Sequence, residues 1–301
     1  MIMEEKQMMT NKELESELKS LRSKATVAKV LTYGFGAAMI IVWFFMQNLA
    51  MGLVLLVITL VFAYLSSSSS STLKKLLSDD IIGSVLKETL GDTVEYNPWG
   101  RLEPGYMVFP FDYNKATGSD HIKAVYNGLN IELSDIELIN EEETTDADGN
   151  TERSSATFFK GQWLICDFGK ELSGEVYISE RGKKDRIKMN SNVTMDNEQF
   201  SKRFCVRASD SQEAFYILTP HMMEYITAMA DKIGCTVYMA FRRDGKMHVA
   251  VKTGRDFFEL GKSEANVEGL RQKFWGELRW FTDIIDTLRV EDTLYKKEIN
   301  V

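Results

Sequence analysis

Residues 30–73 read VLTYGFGAAMIIVWFFMQNLAMGLVLLVITLVFAYLSSSSSSTL, and no Asp, Glu, Lys, Arg or His stands between Lys29 and Lys74. The run holds two apolar blocks, Val30–Met46 and Leu49–Leu65, separated by Gln47-Asn48. A helix rises about 1.5 Å per residue, so a hydrocarbon core of about 30 Å needs roughly 20 residues, within a range of about 17 to 25. Each block reaches that length by borrowing flanking residues. Backbone groups in lipid must be satisfied within their own segment, which predicts two antiparallel transmembrane helices turning at Gln47-Asn48. A cleaved signal peptide fits poorly, because the run begins late, continues through a second block and follows a highly charged segment.

Arg22, Lys24 and Lys29 precede the first block and Lys74 with Lys75 follow the second, whereas the turn carries no charge. That asymmetry predicts both termini on the cytoplasmic side. Neither block contains an ionisable group of the kind that ion paths and proton relays use, so the hairpin reads as an anchor and not as a transporter. Gly34, Gly36, Ala37 and Ala38, with Ala50 and Gly52, offer small residues for close helix packing. The same residues are also ordinarily tolerated in membrane helices.

Outward from the hairpin, Leu14, Leu18 and Leu21 mark a narrow amphipathic helix over Asn11–Lys24. It leads into the first span, and its stripe also suits pairing with a second copy. The six serines Ser66–Ser71 have the composition of a flexible linker. Leu73, Leu76, Leu77, Ile81, Val85 and Leu86 then predict another amphipathic helix to Leu90. The expected organisation is an amphipathic cytoplasmic helix over 1–29, the transmembrane hairpin over 30–65, a serine linker over 66–72 and a cytoplasmic domain over 73–301.

The chain has 301 residues, with 44 Asp and Glu against 36 Lys and Arg for a net charge of -8. Such a balance argues against nucleic acid as a partner, since that binding rests on neutralising phosphates. Cys166, Cys205 and Cys235 are far apart and embedded in apolar runs, so they read as buried free thiols. No pair of Cys or His has the short spacing of a structural zinc site, and neither a metal nor a cofactor is expected.

In the domain, His121–Tyr126 and Leu129–Ile139 flank Asn127-Gly128, a pair suited to the positive φ angles of a type I′ hairpin turn. A polar turn at Thr144–Ser154 then leads to the apolar run Thr157–Phe168. Arg203–Ala208 reads as a strand, and Ser211–Leu218 and His221–Ile233 as helices divided by Pro220. Cys235–Phe241 and Lys246–Lys252 form a further hairpin, and Val267 to Leu288 a long closing helix. Strands grouped apart from helices predict an α+β fold: an N-terminal transmembrane helical hairpin followed by a cytoplasmic domain of antiparallel sheet with packed helices.

Three motifs carry a resemblance: Phe158-Phe159-Lys160-Gly161-Gln162-Trp163; Phe200 with Phe204-Cys205-Val206; and Ser209-Asp210 followed by Glu213-Ala214-Phe215-Tyr216-Ile217-Leu218-Thr219-Pro220 and Met223-Glu224. Together they resemble the bacterial two-span membrane-protein family catalogued as domain of unknown function three-one-three-seven. The resemblance covers roughly Ile122–Leu260 and departs from the family pattern at Cys205 and Arg207. It implies the architecture above and a bacterial inner membrane, and it brings no activity with it.

Asp146-Ala147-Asp148-Gly149-Asn150-Thr151-Glu152 supplies oxygen ligands but lacks the Gly and Glu spacing of a calcium loop, so an acidic hairpin tip is the expectation. Asp210, Glu213, His221 and Glu224 are acid and base candidates, yet Asp210 and Thr219-Pro220 fit helix caps better. Lys183, Lys184, Arg186 and Lys188 form a basic cluster suited to anionic headgroups or to a solvated face. No nucleophile elbow or Cys-His signature occurs. No catalytic, cofactor-binding or metal residue is therefore nominated. The expected role is a membrane-anchored cytoplasmic binding or assembly module whose partners are the lipid bilayer and a second copy or another membrane protein. The alternative is a membrane-anchored enzyme with a site assembled only in three dimensions.

Overall fold

The structure is a computed structural model that describes residues 11–46, 49–103, 113–145, 151–167, 172–181, 192–259 and 266–295. The chain falls into two compact units, Met1–Val85 with Leu260–Phe274, and Leu86–Glu259 with Trp275–Val301.

In the first unit, α1 (Asn11–Met46) and α2 (Leu49–Leu76) lie against each other along the apolar blocks. Phe35 stacks on Phe62 with ring centroids 5.6 Å apart, and Gly36 sits where an added Cβ would meet the Thr59 methyl at 3.9 Å. Thr32 and Thr59 donate their hydroxyls to the Ala28 and Leu55 carbonyls, so both are satisfied within their own helix. Both helices are long and apolar enough to cross a membrane, and only 11% and 6% of their most apolar windows are buried. Leu14 and Leu18 are buried, and Glu15 accepts the Val267 N–H at 3.2 Å, a carboxylate at a helix start.

Two expectations for the following segment change. The run Ser66–Ser71 is not an irregular linker but the continuation of α2. Ser70 and Thr72 donate to the Ser66 and Ser68 carbonyls at 2.8 and 3.0 Å, so the hydroxyls bond within the helix that the apolar block has already nucleated. The amphipathic helix after it is interrupted by a π-helical turn, Leu77–Ile82, before α3 (Gly83–Leu90). The neighbours Ile81 and Ile82 are both buried on this wider turn.

The second unit is built on one antiparallel sheet of eight strands. These are β1 (Glu95–Asn97), β2 (Lys115–Tyr126), β3 (Leu129–Thr145), β4 (Thr151–Asp167), β5 (Val176–Glu180), β6 (Phe204–Ala208), β7 (Thr236–Phe241) and β8 (Lys246–Lys252). Their spatial order is β1-β2-β3-β4-β8-β7-β5-β6. Asn127 and Gly128 take φ of 51° and 83°, the turn expected between β2 and β3. The β6 edge is covered by Asn192, whose side chain bonds both the N–H and the C=O of Ala208 at 3.0 and 2.8 Å.

The helices α4 (Glu198–Arg203), α5 (Ser211–Ile217), α6 (Pro220–Ile233) and the 275–295 part of α7 (Val267–Tyr295) complete this unit. Phe257 packs on Phe281 of α7 at 5.2 Å, and the Tyr225 hydroxyl of α6 donates to the Ile284 carbonyl. Registers place Asp135, Gln162, Val251 and Val237 side by side on the sheet face toward Phe257. Trp163, Ala250 and Tyr238 align on the opposite face with Ile136, Phe159 and Leu102 in a second buried layer. Burial on both faces explains why β7 and β8 read as nearly continuous apolar runs.

Candidate functional site

The sequence candidates divide by what the structure does with them. Asp210 caps α5 by accepting the Gln212 N–H at 2.9 Å, and Thr219 caps α6 by accepting from Met222. Glu213 accepts from the backbone and hydroxyl of Ser173, while His221 and Glu224 are exposed on α6. Asp210, Thr219 and Glu213 thus build helix starts and a turn. Cys166 and Cys205 are buried free thiols as expected; Cys235 is only half buried. Asp146–Asn150 and the basic cluster Lys183, Lys184, Arg186 and Lys188 lie outside the described residues. Among the described residues no group of three or more His, Cys, Asp or Glu is placed to hold a metal ion.

The most distinctive polar constellation is one the sequence reading did not nominate, and it grows from the motif Phe158–Trp163. Gly161 allows β4 to approach β8 so closely that an added Cβ would stand 2.0 Å from the Val251 carbonyl oxygen. The chain leaving β8 then folds back: the Gly254 N–H donates to the Lys160 carbonyl at 2.9 Å, with Gly254 at φ 74°. Gln162 fixes that return from below. Its Nε2 donates to the Arg255 carbonyl at 2.8 Å and to Asp135 Oδ1 at 3.0 Å. Asp135 Oδ2 accepts the Phe257 N–H at 2.6 Å.

Asp135 is 2% exposed, and burial pushes its carboxyl up to about 8 against the pull of its two N–H donors. It is therefore mostly protonated at neutral pH. Nearby, a bulge in β2 puts Asp120 at φ 57° and turns it inward. Its carboxylate accepts from Tyr96 at 2.5 Å and from Ser119 at 2.7 Å, and burial together with Asp120 raises the Tyr96 hydroxyl. On the other sheet face, burial lowers His248 to about 4, and the Trp163 indole N–H donates to its Nδ1 at 3.3 Å, as a neutral imidazole requires.

Above Gln162 lies a recess of about 260 Å³. Thr253, Arg255 and Asp256 form one wall, Lys232 and Cys235 another, and Glu277, Arg279, Trp280 and Asp283 of α7 the third. Asp256 is paired with Lys160 at 3.2 Å, Asp283 with Lys232, and Glu277 accepts the Phe258 N–H at 2.9 Å. With each carboxylate held, the recess is better equipped to bind polar groups than to cycle protons.

Residues 157–290 match the family described as Protein of unknown function (DUF3137). The DUF3137 segment runs from β4 into α7 and so contains every residue that lines the recess. It also contains the Lys160-Gly161-Gln162 floor, whereas Asp120 and Asp135 precede it. No curated protein matches the chain. A crystal structure, that of the mycobacterial trehalose monomycolate transport factor A, TtfA, is similar at a TM-score of 0.36 and 9% identity, over 68% of this chain and 94% of that one. A likeness of that degree bears on neither mechanism nor ligand.

Proposed function

We propose that this chain is a membrane-anchored binding or assembly module, with the α1–α2 hairpin in the bilayer and the sheet domain in the cytoplasm. One observation carries the reading: two helices of membrane-crossing length present their apolar side chains outward, among them Ile40, Ile41, Leu53, Val57, Leu60 and Val61. In water such a surface would drive aggregation; in lipid it is the expected exterior. The basic residues on the two flanks, set against the uncharged stretch between the blocks, support both termini on the cytoplasmic side of the membrane. Because Leu14 and Leu18 are already buried within the chain, self-association belongs to the hairpin's outer face.

The full chain in isolated membranes should resist alkaline carbonate and be released by mild detergent. Release by carbonate alone would contradict the anchor. Mass photometry of the detergent-purified chain should show a homo-oligomer, and a monomer only would contradict self-association. The enzyme reading draws its support from the recess and the protonated Asp135 beneath it, but the committed carboxylates favour binding.

A further inference from the structure

We propose that the recess is a binding site for a small oxyanion, a phosphate or carboxylate group held between the guanidiniums of Arg255 and Arg279. The carboxylates of the recess are engaged by groups other than its two arginines. Here Asp256 is taken by Lys160, Asp283 by Lys232, and Glu277 by the Phe258 N–H. Arg255 and Arg279 make no ion pair among the described residues, although both line the same recess.

Each arginine is presented by a fixed support. Arg255 stands on the turn pinned by the bonds from Gly254 to the Lys160 carbonyl and from Gln162 to the Arg255 carbonyl. Arg279 lies over the Trp275 ring at 5.3 Å, a cation–π contact that restricts its side chain. Planar forks of this kind match carboxylate and phosphate oxygens two at a time. A recess of about 260 Å³ lies just below the range of about 300 to 1,000 Å³ typical of ligand sites, so its occupant is small. Beneath it, Asp135, its carboxyl pushed up to about 8 by burial, adds little negative charge at neutral pH. The site uses groups of residues 157–290 only and does not depend on the hairpin entering a bilayer.

Half-buried Cys235 in the wall reports occupancy, with buried Cys166 and Cys205 as internal controls. The full chain in mild detergent is alkylated with iodoacetamide, and each cysteine is followed by peptide mass spectrometry. Inorganic phosphate, glycerol 3-phosphate or succinate should slow Cys235 alkylation about tenfold when its concentration is about ten times its dissociation constant. Sodium chloride at matched ionic strength should not. A parallel series in nanodiscs with and without phosphatidate separates a lipid headgroup from a soluble anion, and protection in either series supports the site. The Arg255→Gln/Arg279→Gln variant should keep the unliganded Cys235 rate and lose protection; if its Cys166 becomes reactive, Arg255→Gln alone is judged by the same criterion. No protection in any series, equal protection by chloride, or full protection in the Arg→Gln variant would overturn the proposal.

Discussion

Asp135 couples the sheet to the turn above it, and its protonation sets a pH dependence whose sign is fixed. The folded state holds the proton up to about 8, while the unfolded carboxyl releases it near 4. Between those values the folded state binds more protons, so Asp135 makes stability fall as pH rises, by at most about 1.4 kcal/mol per pH unit. His248 works the other way: its depressed value of about 4 gives stability that is present above about 6.5 and lost as pH falls toward 4. The two oppose one another below 6.5, and only Asp135 acts from there to 8. The unfolding midpoint in detergent should therefore drop between pH 6.5 and 8, and Asp135→Asn should flatten that drop. An unchanged slope in the variant would show that Asp135 is ionised throughout.

Gly161 makes a simpler residue-scale test. An added methyl would meet the backbone oxygen of Val251 and not a side chain that can swing away, so Gly161→Ala should cost about 3 kcal/mol, read as a lowered unfolding midpoint. A polar Gln162 and a polar Ser134-Asp135 pair inside apolar strands were visible in the sequence as interruptions of pattern. Their meaning was not, because Asp135 meets Phe257 across 122 positions.

Among elements, those with local chemistry were legible. Asn127-Gly128 forms its turn, Asp210 and Thr219 cap their helices, and Pro220 opens α6. Elements decided by neighbours were less so. The serine run is helical because an apolar helix continues through it, and composition alone describes only its behaviour in isolation. The π-helical turn at Leu77–Ile82 had no signal, because the apolar spacing there is the same that regular helices show. Asn192 had no signal either, since covering an edge is a tertiary role. Asn192→Ala removes both side-chain bonds to Ala208 and leaves the backbone bridge at Val206 as the remaining cover of the β6 edge, so the variant should lose about 1 to 2 kcal/mol and aggregate sooner on warming, measured by light scattering. Unchanged scattering would mean that the edge is protected by other means.

At the scale of the molecule, the apolar run and the antiparallel α+β domain were both readable from residue pattern. The recess was not, because its walls come from β4, α6, the turn after β8 and α7, which no short motif spans. The chain joins a hairpin with an apolar exterior to a domain with a small polar recess. The topology proposed above puts the hairpin in a bilayer and the domain in the cytoplasm. The direct measurement is labelling by a membrane-impermeant maleimide in sealed right-side-out vesicles, using Asn48→Cys between the two apolar blocks and Lys123→Cys on an exposed position of β2. The account predicts labelling of Asn48→Cys in intact vesicles and of Lys123→Cys only after permeabilisation. Equal labelling of the two positions in intact vesicles would contradict it.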